Sequence, residues 1–143
     1  MRRVHQEDLA QALGLAAADK YERSGVSPGR LAAVARMASP EASYRIAPLY
    51  DTAPVFVVSP AYRQSGMAVI GKNRLDLITG ADLVGEAMSW GWGRGQAVDC
   101  VVRTAEALVE AVDAHDAGGI PEAVPAAIRA RGTSIAASAR GEN

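Results

Sequence analysis

The sequence predicts a mainly α protein with a small central β-hairpin or sheet. Two observations carry that expectation. Apolar residues recur at three- and four-residue steps through residues 97–114, the pattern of a helix with one buried face. Short apolar runs bounded by proline, glycine and serine are confined to the middle of the chain, between residues 44 and 71. A third observation sets the scale: 143 residues, 49% of them hydrophobic, are enough for one domain with a real core.

The elements follow in order. "HQEDLAQALG" places Leu9 and Leu13 four apart, with acids early and Gly14 just beyond, as in a short helix. Ser27-Pro28 reads as the start of a second helix, whose apolar face is Leu31, Val34 and Met37 and whose end is Ser39-Pro40. "YRIA" (44–47), "VFVV" (55–58) and "MAVIG" (67–71) read as short strands. Thr79 and Asp82 form a loose capping box, aspartate replacing the usual Glu or Gln, for a helix carrying Leu83, Val84 and Met88. Val98, Val101, Val102, Ala105, Leu108, Val109 and Val112 then mark the long helix, with glycines 118 and 119 closing it. A last helix is expected from near Pro121 toward Arg131, and the tail "RGTSIAASARGEN" is expected to fray.

Charge and composition narrow the function classes. The formal net charge is −1 with acids and bases interspersed, so no basic footprint points to nucleic acid or to a membrane surface. The N-terminus is too charged for a signal peptide, and no run is long and apolar enough to span a bilayer. Cys100 is the only cysteine, which suits a reducing compartment. A cytoplasmic chain is expected.

Three stretches imitate functional motifs. "GMAVIGKN" (66–73) has the Gly-x4-Gly-Lys spacing of a phosphate loop, but Asn73 stands where a Mg²⁺-binding hydroxyl belongs and the interior is strand-like. "GWGRG" (91–95) lacks a preceding strand and the dinucleotide spacing, and reads as the joint between two helices with Trp90 or Trp92 packing there. "DAHDAGG" (113–119) gathers Asp113, His115 and Asp116, and reads as a polar helix end. Cys100, near the apolar face of the long helix, is expected to be a buried, inert thiol.

Several phrases together resemble the C-terminal part of the HipA family, the serine/threonine kinase toxins of bacterial toxin–antitoxin pairs. "RVHQEDLAQALGL" (3–15) with "KYE" (20–22) is similar to the family's characteristic helix and loop. "SYRIAPLYD" (43–51) resembles its metal-binding segment, and "MAVIGKNRLDLI" (67–78) the strand and connection that follow. The resemblance implies a partial C-terminal lobe of a protein-kinase-like fold over residues 1–132, with 133–143 as a flexible tail. It makes Asp51 the metal ligand, the counterpart of the kinase DFG aspartate, and ATP and Mg²⁺ the family's cofactors.

The rest of the family's apparatus is missing. Its catalytic loop, Asp-x-His-x-Lys-Asn, should stand before the "PLYD" phrase, yet "RMASPEASYRIAPLYD" runs straight through, an internal shortening near residues 39–44. The two asparagines, Asn73 and Asn143, follow Ala68 and Ser138 at the spacing where the loop needs an aspartate. Lys20 and Lys72 are the only lysines, and neither matches the ATP-gripping position. One carboxylate holds Mg²⁺ weakly, because the ion keeps most of its waters.

The expectation is therefore a remnant or partial subunit of such a kinase, without phosphotransfer activity by itself and without tight ATP or Mg²⁺ binding alone. The alternative is a non-catalytic interaction module. The implied partners are a HipB-like helix-turn-helix antitoxin or a complementary kinase chain. Apolar faces at 31–37 and 98–112, left bare by the shortening, would favour a homodimer or low solubility.

Overall fold

The computed structural model describes residues 61, 63–115 and 119–142. The helices and strands expected before residue 61, together with Asp51, lie outside the described residues, as does Asp116. What is described is mainly helical with a small antiparallel sheet. Strand β1 (Gln64–Val69) turns into β2 (Lys72–Arg74), a short 3₁₀ turn covers Leu75–Leu77, and three helices follow: α1 (Gly80–Ser89), α2 (Arg94–Ala114) and α3 (Ala123–Arg140).

The hairpin pairs Gln64 with Arg74 and Val69 with Lys72, with an irregularity between them that takes up the difference in length. Its turn is Ile70-Gly71, with φ of 48° and 74°. Two consecutive left-handed residues match the twist of a tight hairpin, but the first position normally takes Asn, Asp or Gly. A branched isoleucine there is strained. The strand expected at 67–71 instead spans Gln64–Val69, with Ile70 and Gly71 forming the turn, and its partner is a polar stretch with no strand signal of its own.

Helix α1 starts as the capping box requires. Thr79 Oγ1 accepts from the Asp82 amide at 3.2 Å, and Asp82 Oδ2 accepts from the Thr79 amide at 2.8 Å. Helix α2 runs through the whole expected segment and begins three residues earlier. Pro125 sits in the first turn of α3, where its absent N–H would have found no helical partner.

The expected fraying tail is corrected: α3 continues as one helix to Arg140. Gly132, Ala136 and Ala139 lie on one face of it, at steps of four and three, and all are buried. These small residues let α3 approach its neighbours closely. Gly141, at φ 86°, then caps the helix, with its own amide on the Ser138 carbonyl and the Glu142 amide on the Ala137 carbonyl.

The core at the meeting of the helices is built from small side chains, centred on Val84, Ala97 and Ala139 with Val98, Val101 and Val102 packed against them. A Cβ added to Gly80 would fall 2.0 Å from the Ile135 carbonyl oxygen, and one added to Gly132 would fall 2.6 Å from Val109 Cγ2. Bare backbone at these two points sets the spacing of the layer. Polar ties close its edges: Arg129 bridges Asp113 at 2.6 Å and Glu122 at 2.8 Å, and Arg140 pairs with Glu106. No helix among the described residues is long and apolar enough to cross a membrane.

Candidate functional site: an apolar groove beside the long helix

Close packing through alanine and glycine leaves the larger apolar side chains at the margins. Leu108, expected on the buried face of α2, is 50% exposed, and Trp92 is 38% exposed. Together with Trp90, Val101, Ile128 and Ile135 they line a groove of about 810 Å³ between the three helices. The sequence suggests a tryptophan packing at the helix joint. It does not reveal that Ile128 and Ile135, seven apart on α3, form the opposite wall.

The two charged groups among the described residues that line this groove are engaged internally. Glu86 accepts from the Ile70 amide at 2.8 Å and from Trp90 Nε1 at 2.9 Å, so one carboxylate holds both the hairpin turn and an indole. Arg131 donates through Nη2 to the carbonyl oxygens of Leu75 and Ile78, fastening α3 to the connection before α1. A second, smaller cavity of about 470 Å³ lies on the other side of Arg131, against Arg63, Asp76 and Ser134. There Arg74 donates to the Asp76 carboxylate at 2.5 and 3.1 Å. That hydrogen-bonding lowers the Asp76 pKa below the ordinary carboxylate range.

The motif-like stretches resolve individually. Residues 66–73 form most of the hairpin, and the glycine-lysine pair enters β2 rather than a helix N-terminus. Backbone amides therefore do not converge into a phosphate cradle there. Lys72 is tied to Asp82 at 2.8 Å. "GWGRG" is the joint between α1 and α2, as its glycines suggest. His115 caps the end of α2, its Nδ1 2.8 Å from the Ala111 carbonyl oxygen, and is exposed. Asp113 is committed to Arg129.

Cys100 requires a correction: it is exposed, not buried. Its place on α2 turns it toward the open groove, because the buried face is taken by Ala97, Ala105 and the valines. Among the described residues, no group of three or more His, Cys, Asp and Glu side chains is placed to hold a metal ion. The stretch with phosphate-loop spacing is thus spent locally: Lys72 is paired with a carboxylate and the glycine turn serves a hairpin.

No protein-family model matches this sequence, and no curated protein or solved structure matches the chain.

Proposed function

We propose that the chain is a remnant or partial subunit of a HipA-like kinase, a partial C-terminal lobe that acts through a protein partner rather than by phosphotransfer of its own. The resemblance of "SYRIAPLYD" and the phrases around it supports the kinase descent, and so does the order of a small hairpin followed by helices. The missing Asp-x-His-x-Lys-Asn loop supports the loss of chemistry. In this reading Asp51 is a vestigial metal ligand and the chain is cytoplasmic.

A non-catalytic interaction module is the second reading, and one observation favours it. The groove beside α2 exposes large apolar side chains while its charged groups are satisfied within the chain. Contiguous apolar surface of this kind marks an interaction site. On the kinase-remnant reading, the same groove receives a complementary kinase chain or a helix-turn-helix antitoxin.

Calorimetric titration of the full chain with ATP and Mg²⁺ tests the loss of chemistry, with Asp51→Asn as the control. The expected result is no saturable heat from folded protein. Saturable binding that disappears in Asp51→Asn would overturn the proposal, because a nucleotide site would then exist.

A further inference from the structure

We propose that the smaller cavity beside Arg131 binds a small molecule with an apolar body and an oxyanion head, a carboxylate or a phosphate ester. Such a site lies outside the groove and owes nothing to the kinase descent.

One wall of the cavity is a single side of α3. Ala127 and Arg131 are four residues apart, as are Ala130 and Ser134, so all four share that side of the helix. The opposite wall is Leu75 and Asp76, in the 3₁₀ turn, with Arg63 just before β1. Hydrogen bonds lock the walls together. The Leu75 amide donates to the Arg63 carbonyl at 2.8 Å, and the Leu75 carbonyl accepts from Arg131 Nη2 at 2.5 Å. These residues are therefore in place before a ligand arrives, which lowers the cost of binding. A volume of about 470 Å³ suits a small molecule.

The donors left over select the head group. Arg131 Nη2 serves the Leu75 and Ile78 carbonyls, and among the described residues Nη1 and Nε make no hydrogen bond. A guanidinium keeps its proton and accepts nothing, so these N–H groups call for an acceptor, and a negative oxygen satisfies them best. Because Nη2 is occupied, a ligand oxygen meets Nη1 or Nε singly rather than through a two-pronged fork, and the binding is weak. Ser134 adds a hydroxyl that can donate to a second oxygen.

The surrounding charges favour an anion. Asp76 is the one carboxylate among the described residues of the lining, and Arg74 neutralises it at 2.5 and 3.1 Å. Arg63 brings further positive charge to the same side, and Asp76, held low chiefly by the hydrogen bonds from Arg74, also feels it. Leu75, Ala127 and Ala130 supply the apolar wall for the body of the ligand.

Heteronuclear NMR of the full chain, titrated at fixed ionic strength with phenyl phosphate or with benzoate, reads the site residue by residue. The amide signals of Leu75, Ala130 and Ser134 should follow one saturating curve, with dissociation at about 1 mM for the better probe. The better of the two names the head group. Ala130→Glu places a carboxylate at an exposed position of the wall, disturbs none of these hydrogen bonds, and should weaken binding about tenfold. Ala107→Glu, the same change at an exposed position of α2 outside the cavity, should leave binding unchanged. Arg131→Met should abolish binding but also loosens α3, so the two glutamate variants decide. Shifts that saturate with neither probe, that survive Ala130→Glu, or that both glutamate variants reduce alike overturn the proposal. Inorganic phosphate that binds as tightly as phenyl phosphate overturns it too, because the apolar wall would then contribute nothing.

Discussion

Lys72 Nζ donates to both carboxylate oxygens of Asp82, at 2.8 and 2.9 Å, and so fastens the β-hairpin to the first turn of α1. The same carboxylate closes the capping box with Thr79 and complements the positive end of the helix dipole. Its side chain is only 14% exposed, so the contact is less screened than a typical surface pair.

The Asp82 pKa is lowered, first by the hydrogen bond from Lys72 and then by those from the Thr79 amide and hydroxyl, with burial working against them. A carboxyl depressed by folding stabilises above its unfolded pKa, and that contribution is lost as pH falls through the folded value. Asp82→Asn should cost roughly 1 kcal/mol at neutral pH. In denaturant melts, the gap between wild type and variant should stay constant down to the ordinary carboxylate range and narrow below it. A gap that widens in acid would show that the carboxylate is not the stabilising form.

Gly80→Ala reverses the usual rule for helices. Alanine in a helix normally gains up to about 1 kcal/mol over glycine. Here the new methyl group would meet the Ile135 carbonyl oxygen and the Ala139 amide nitrogen, both backbone atoms that cannot rotate away. Thermal unfolding should show a loss of about 2–3 kcal/mol, and Gly132→Ala a smaller one because Val109 can shift its side chain.

Ile70→Asn should stabilise the chain by about 0.5–1 kcal/mol. Ile70 is 47% exposed at φ 48°, so relief of backbone strain outweighs the little apolar packing its side chain makes beside Gly85. Its amide bond to Glu86 involves the backbone alone and should remain. A rise in the midpoint of chemical unfolding, with an unchanged slope, is the expected readout.

Arg131→Met keeps most of the side chain's apolar length but removes the donor to the Leu75 and Ile78 carbonyls. Leaving those acceptors without it should cost about 1–3 kcal/mol. Hydrogen exchange should quicken at the start of α1 more than at the end of α2.

The long helix and the capping box are legible in the sequence because each is local: apolar periodicity marks one, and two residues three apart mark the other. The C-terminal half of α3 is not. Gly132 mid-helix and the run of Ser, Thr and Ala look like a dissolving tail until α1 and α2 are beside them. What those residues supply is closeness, a tertiary quantity. The second hairpin strand is hidden for a related reason, since Ile70-Gly71 lacks the Asn-Gly signal and is held by Glu86 from sixteen residues away. The exposure of Leu108 and Cys100 likewise depends on which face α3 occupies. The site expected from the resemblance, Asp51, lies outside the described residues.

Small-residue packing that leaves a tryptophan-lined groove open is the feature on which the rest depends. Trp90 and Trp92 are the chain's only tryptophans and both line it, so acrylamide quenching of intrinsic fluorescence reports on the groove alone. Measured on the full chain at sub-micromolar concentration, the emission should be red-shifted. It should divide into a readily quenched component from Trp92 and a less accessible one from Trp90, held by Glu86. A single blue-shifted emission that acrylamide barely quenches would mean the groove is covered within one chain, and would contradict the account.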